Sequence, residues 1–241
     1  MNLLGISTSS KQLSLGIWSE GQVIVDYNIH LGHRHNERLI PTLKNIMTEV
    51  DLAFADLSAV AVDIGPGSFT GLRIALASVK SFALVQEIEI VAISSLEIMT
   101  AGYLNHDDYI LPLLDAGNNR VYTALFQGET ETLPHKARQC KDLALSLTEI
   151  PQFIQDKVKN NSRVLAVGPA VKNYQQQLSA VSHGKFSLEL FKAYQSQGWG
   201  GKLAELGSYY LQEDLTILPS ELEPNYLKKP QAVLNRNKKQ N

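Results

Sequence analysis

The sequence predicts an α/β protein whose mixed sheets are covered by helices, arranged as two halves with one element order. Three observations carry this. Segments of period two and continuous apolar runs alternate with segments of helical period. The order β-β-β-α-β-α-β-α runs to about residue 105, turns polar at Asn105–Asp108, and then restarts. Finally, 44% hydrophobic content over 241 residues supplies an ordinary globular core and excludes wholesale disorder.

The elements follow in order. LLGIS (3–7) is a first strand. In the next segment Leu13, Leu15 and Ile17 fall on one side and Ser14, Gly16 and Trp18 on the other, a half-buried strand. The Glu20-Gly21 turn leads into VIVDYNIHL (23–31), which completes an antiparallel meander. Leu39, Leu43, Ile46 and Val50 then recur at helical spacing. Pro41 implies either a helix starting near Ile40 or a kinked first turn. LSAVAVDI (57–64) is a buried strand, LRIALASVKSFALVQ a second helix and IEIVAI (88–93) a strand, followed by a helix from Ser94 or Ser95. In the second half, YILPLLDA (109–116) and VYTALFQ (121–127) form a hairpin across Gly117-Asn118-Asn119, with a third strand near 131–138. Thr148 is a candidate cap for a helix with Pro151 in its first turn. RVLAVG (163–168) and SLELF (187–191) are strands; VKNYQQQLSAV and GKLAELGSYYLQ (201–212) are helices. The predicted division is 1–105, 106–225 and a basic, disordered tail at 226–241.

Charge sharpens the picture. The net charge is −2, from 22 bases and 24 acids. Five of the bases (Lys228, Lys229, Arg236, Lys238 and Lys239) lie after Tyr226 with no acid among them. The first 225 residues therefore hold 17 bases against all 24 acids, a net of −7. An acidic body argues against a free-standing nucleic-acid binder. The lone Cys140 excludes an internal disulfide and multi-cysteine metal sites and suits a reducing compartment. The segment MNLLGISTSSKQLSLG lacks the features of a secretory leader, and no apolar run is long enough to span a membrane, so a cytoplasmic protein is expected.

The most informative segment is Gly65-Pro66-Gly67-Ser68-Phe69-Thr70-Gly71-Leu72-Arg73, which joins a buried strand to a helix. Its glycines permit positive φ and close backbone approach. Ser68 or Thr70 can cap the helix, whose free N–H groups suit an anion, and Arg73 adds a bidentate donor. The bland alternative is a tight turn whose glycines serve packing alone. The spacing matches neither a Walker loop nor a dinucleotide fingerprint.

IGPGSFTGLRIALASVKSFA closely resembles the signature of the TsaB (YeaZ) family. The H-x-E-R-L-I-P helix start, ISSLE, LDAGNNRVY and Pro224-Asn225-Tyr226-Leu227 agree with it. The resemblance covers roughly residues 1–227. It implies the actin-like ATPase (ASKHA) fold, two ribonuclease-H-like domains, in line with the repeated element order. It also implies a paralogue of TsaD, the enzyme that installs threonylcarbamoyl on the adenosine beside the anticodon of tRNAs reading ANN codons. TsaD holds an iron or zinc ion with an H-x-x-x-H pair. The matching stretch here is Ser95-Leu96-Glu97-Ile98-Met99, and neither Ser95 nor Met99 suits that ion. Actin-like ATPases usually carry an aspartate on the first strand, where this chain has Ser7-Thr8. At Asp115-Ala116-Gly117 the family usually has Asp-Ala-Arg; Arg120 is the nearby substitute.

The resemblance thus implies a subunit with no catalytic residues and no metal or cofactor of its own, ATP binding being possible but doubtful and the metal being carried by the partner. It would pair with TsaD, work with TsaE, form a homodimer alone and meet tRNA only through the complex. The expected partner surface comprises His33, His35, Glu37, Leu39, Ala75 and Ser78, with Ala77 or Ser81 extending the line of small residues. The competing hypothesis is a self-sufficient ATPase or small-molecule kinase. A peptidase lacks any zincin or serine-triad motif to support it. The cluster His30, His33 and His35 beside Arg34 and Glu37 has no acidic ligand at clear spacing and reads as a polar, interface-lining segment rather than a metal site. His106, His135 and His183 read as loop residues, Cys140 as no nucleophile, and Trp18 and Trp199 as packing residues.

Overall fold

The computed structural model describes all residues except 33, 106–107, 129–132, 182–183, 192–197 and 228–241. In chain order the elements are β1 (Asn2–Ser7), β2 (Gln12–Ser19), β3 (Gln22–His30), α1 (His35–Glu49), β4 (Ala59–Asp63), α2 (Phe69–Gln86), β5 (Glu89–Ile93) and α3 (Ser95–Thr100). Then come β6 (Tyr109–Gly117), β7 (Arg120–Thr123), β8 (Phe126–Gln127), α4 (Pro134–Ala137), β9 (Leu143–Ser146) and α5 (Ile150–Lys157). The chain closes with β10 (Ser162–Val167), α6 (Pro169–Asn173), α7 (Gln175–Ser179), β11 (Phe186–Leu190) and α8 (Trp199–Gln212). They divide into two compact units, one of Met1–Ile98 with Gln197–Tyr226 and the other centred on Met99–Ser196.

The first unit holds a five-stranded sheet of order β3-β2-β1-β4-β5. The meander β1-β2-β3 is antiparallel, while β4 and β5 add in parallel. Leu4 and Ile6 of β1 join Leu13, Leu15, Val60 and Val62 in a core completed by Leu39, Leu43 and Ile46 of α1 and Ala75, Leu76 and Val79 of α2. α8 covers the opposite face. A Cβ on Gly5 would lie 2.5 Å from the Gly200 carbonyl oxygen, so helix and sheet backbones nearly touch. β1 and β4 are therefore covered on both faces, which is why they read as unbroken apolar runs rather than alternating ones. α8 belongs with the first sheet and not with the predicted 106–225 domain. Its sequence neighbours mislead because a smooth face built of Gly5, Gly16 and Ala61 accepts its own Gly200, Gly201 and Gly207.

The second unit repeats the plan. Its sheet runs β11-β10-β6-β7-β9, with β6-β7-β9 antiparallel and β10 and β11 parallel. Each strand thus has a counterpart: β6 for β1, β7 for β2, β9 for β3, β10 for β4 and β11 for β5. The duplication expected from element order is present as topology.

Four local differences from the sequence prediction have physical causes. α1 starts at His35, six residues before Pro41, which lies inside the helix on its exposed side. There the missing N–H leaves only the exposed Glu37 carbonyl without its partner. The third strand of the second meander is Leu143–Ser146, whereas Pro134 opens the short α4 at 134–137 and cannot serve a ladder there; residues 131–132 of the predicted strand lie outside the described residues. α5 has Glu149 and not Thr148 at its N-cap position, and the Glu149 carboxylate accepts from Ser146 N at 2.6 Å. The helix predicted at 171–181 is two short helices meeting at Tyr174.

Candidate functional site: the glycine loop and its floor

The segment 65–73 leaves the C-terminal end of β4, the end at which ligands gather in open parallel sheets. Ser68 is the N-cap of α2, its Oγ accepting from Gly71 N at 3.2 Å. Thr70, the other candidate cap, is exposed. The loop rests on the β1–β2 turn. Ser68 N donates to the Ser9 carbonyl at 2.6 Å, and Thr8 Oγ1 donates to the Gly71 carbonyl at 2.7 Å. A Cβ on Gly71 would collide with the Thr8 carbonyl oxygen, and one on Gly67 with that of Ser9. These two glycines are required by close backbone approach.

Beneath the loop lies a residue that sequence reasoning missed. Asp63, the last residue of β4, is completely buried. Its Oδ2 accepts from Ser7 Oγ at 2.7 Å, and its Oδ1 from Ser95 Oγ at 2.6 Å and Gly65 N at 2.9 Å. Ser7 Oγ lies 3.3 Å from Ser9 Oγ. Burial raises the carboxyl above its ordinary value, opposed by hydrogen bonds from Ser9, Ser95, Ser7 and the Gly65 amide. The signal in the sequence was an isolated acid ending the apolar run LSAVAV.

The outer wall is aromatic. The Arg73 guanidinium lies 4.1 Å over the Phe69 ring, Phe69 stacks on Tyr226 at 4.7 Å, and Arg73 Nε donates to Tyr226 Oη at 3.1 Å. Asn225 N donates to the Ile64 carbonyl at 2.7 Å, which fastens the Pro224-Asn225-Tyr226 segment beside the loop. A groove between α2 and this segment is lined by Arg73, Leu76, Ala77, Lys80, Leu222 and Tyr226. Arg73 is thus engaged with two rings rather than held open for an anion.

Gly65, Pro66, Gly67, Ser68, Phe69, Thr70, Gly71 and Arg73 do come together in one structure. The expected partner surface does not. Leu39 and Ala75 are core residues, 1% and 0% exposed, and His35 is buried. Their spacing is that of an apolar stripe turned inward. Glu37 is exposed, and Ser78 is half-buried with its hydroxyl turned back onto the Ile74 carbonyl at 2.9 Å. His33 lies outside the described residues. His30 is exposed at the end of β3. Among the described residues, no group of three His, Cys, Asp or Glu side chains could hold a metal ion.

The family model described as TsaD, tRNA N6-adenosine threonylcarbamoyltransferase, matches residues 30–232. The chain belongs to this family, on its TsaB branch. It is 38% identical over 127 residues to the tRNA threonylcarbamoyladenosine biosynthesis protein TsaB of Bacillus subtilis, covering 53% of this chain and 56% of that one. To the TsaB of Escherichia coli it is 30% identical over 137 residues, covering 56% and 59%. The chain thus spans a little over half the length of these curated relatives. Its fold matches that of YeaZ from Pseudomonas aeruginosa with a TM-score of 0.72 at 19% identity, over 94% of this chain and 99% of the other. Two ribonuclease-H-like sheets with flanking helices make this the actin-like ATPase fold. Among the described residues, no helix is long and apolar enough to cross a membrane.

Ser95 and Met99 have structural roles within the chain. Ser95 donates to Asp63, and its own N–H donates to the Gly65 carbonyl at 2.9 Å. Met99 is buried, and a Cβ on Gly168 would lie 2.5 Å from its sulfur. Both positions are occupied by packing and hydrogen bonding within the chain.

Proposed function

We propose that this chain is a non-catalytic partner subunit that activates a TsaD-type enzyme in the transfer of threonylcarbamoyl to the adenosine beside the anticodon of tRNAs reading ANN codons. The observation that carries this is the fate of the loop and the metal positions. A magnesium nucleotide needs free amides over the phosphates and a carboxylate open to water and metal. Here the Ser68 amide is spent on Ser9, and Asp63 is sealed under hydroxyl and amide donors. The residues present do not fit that group. Ser95 and Met99 likewise offer no pair of imidazoles. The −7 charge of the first 225 residues supports leaving tRNA contact to partners.

In this reading TsaD is the principal partner, TsaE a further member of the assembly, and the homodimer the state adopted without them, all in the cytoplasm. Binding selects the TsaD conformation able to accept donor and tRNA, a population shift through differential affinity. The test adds the purified chain to TsaD and follows both co-elution and tRNA modification. Co-elution with increased modification is expected. The absence of a complex together with unchanged modification rejects the proposal, as does robust magnesium-dependent ATP turnover by the chain alone.

A further inference from the structure

Asp63 lies in the first unit with no cation among its described hydrogen-bond partners: two serine hydroxyls, Ser7 and Ser95, and the Gly65 amide bond it, and Ser9 Oγ lies 3.3 Å from Ser7 Oγ. The donors come from three separate stretches of chain. Ser7 ends β1 at the β1–β2 turn, Gly65 opens the glycine loop, and Ser95 opens α3. The turn and the loop are also joined by Ser68 N to the Ser9 carbonyl and Thr8 Oγ1 to the Gly71 carbonyl, and the loop and α3 by Ser95 N to the Gly65 carbonyl. The Asp63 carboxylate bonds to all three.

Register adds a second constraint. β1 and β4 are parallel with Ile6 opposite Val62, so Ser7 and Asp63 are the next positions on neighbouring strands. Their side chains meet on one side of the sheet at 2.7 Å. The pair is therefore exchangeable in chemistry: a carboxylate on β1 and a hydroxyl on β4 would fill the same space with the same donor and acceptor. The site also has a strict occupancy. Two carboxylates at this separation cannot both ionise, so it accepts one acid and not two.

We propose that Asp63 is the positioning residue of the glycine loop, a single buried carboxylate that pins the loop, the β1–β2 turn and the start of α3 together, and that its place can be taken from either strand. The proposal does not depend on what the chain binds. Its test uses three variants of the full chain: Asp63→Ser, Ser7→Asp, and both together. Two readouts are taken at neutral pH, the urea midpoint and backbone amide exchange at Gly65, Ser68 and Ser95, with Val164 of β10 as the reference. Asp63→Ser removes the shared acceptor, and Ser7→Asp sets two acids face to face. Each single variant is expected to lower the midpoint and speed exchange of the three amides at least tenfold while Val164 stays protected. The double variant restores one carboxylate and is expected to recover more than half of both losses. If neither single variant folds, a folded double variant is the same rescue. A double variant that loses the sum of the two single losses, or fails to fold, overturns the proposal, as does an Asp63→Ser chain whose loop amides exchange at the wild-type rate.

Discussion

The two units end corresponding strands in the same way and then diverge. β4 runs into Gly65-Pro66 and β10 into Gly168-Pro169, and both glycines have positive φ, 98° and 114°. In the first unit the loop settles on the β1–β2 turn and launches the 18-residue α2. In the second, Pro169 opens the five-residue α6 at once. The carboxylates differ in kind. Asp63 is buried and served by hydroxyls. Asp115, on the strand that takes the place of β1, is exposed and accepts from Gly117 N at 2.7 Å, Tyr174 Oη at 3.0 Å and Asn173 Nδ2 at 3.1 Å. One architecture thus hosts an internal polar hub in one copy and a solvent-facing hydrogen-bond acceptor in the other. Burial, more than residue type, sets what each acid does.

The largest effect that can break this comparison comes from the close approaches. Gly71→Ala meets the Thr8 carbonyl, and Gly168→Ala combines its positive φ with a contact 2.6 Å from the Leu113 carbonyl oxygen. Each is expected to cost about 3 kcal/mol, read as a lower urea midpoint. Amide exchange should assign each loss to its own unit.

Next comes the pH dependence of the hub. Burial raises Asp63, so the folded chain holds its proton more tightly than the unfolded chain. The proton-linked part of this group's contribution to stability, which adds to its hydrogen bonds, is then full below the ordinary aspartate value. It is lost as pH rises from there through the raised folded value. Asp63→Asn removes that dependence while keeping an acceptor for Gly65 N. The stability of Asp63→Asn relative to wild type should therefore increase as urea unfolding is moved from acidic to neutral pH. A constant difference would remove the ionisable hub from the account.

Arg73→Ala removes an exposed guanidinium stacked on Phe69 and bonded to Tyr226. A loss of about 1 kcal/mol is expected, accompanied by faster exchange at the Asn225 amide. The smallest effect belongs to the second unit. Asp115→Asn should change stability by less than about 0.5 kcal/mol, as exposed sites usually do. The Tyr174 phenol is raised first by desolvation and then by its bond to Asp115 and the carboxylate charge. Its ultraviolet titration should therefore move to lower pH in Asp115→Asn.

Much of this was legible in the sequence where the information is local. The antiparallel meander, the buried run of β4 and the Ser68 cap follow from patterns within ten residues, whereas β2, expected to be half-buried, is buried at Ser14 and Gly16 as well because α8 lies against that face. Asn118 and Asn119, both at positive φ, turn the second hairpin where the Gly-Asn-Asn segment placed it. What escaped depends on distant partners. Nothing near α8 says that its Gly200 matches Gly5 and Gly16, 195 and 184 residues earlier. The four residues of β9 are all half-buried and give no clear alternation. Leu39 and Ala75 resembled an exposed small-and-apolar stripe only while the sheet they cover was out of view. Asp63 looked like the end of a strand because its donors, Ser7 and Ser95, stand 56 and 32 residues away.

The central claim is that the glycine loop is closed onto the β1–β2 turn and serves architecture rather than phosphate binding. Backbone amide resonances of Gly65–Arg73 followed during a millimolar titration with magnesium ATP test it directly. The account predicts no saturable shift in this segment and continued protection of the Ser68 amide. Saturable shifts centred on Gly67, Ser68 and Gly71, with loss of that protection, would contradict it.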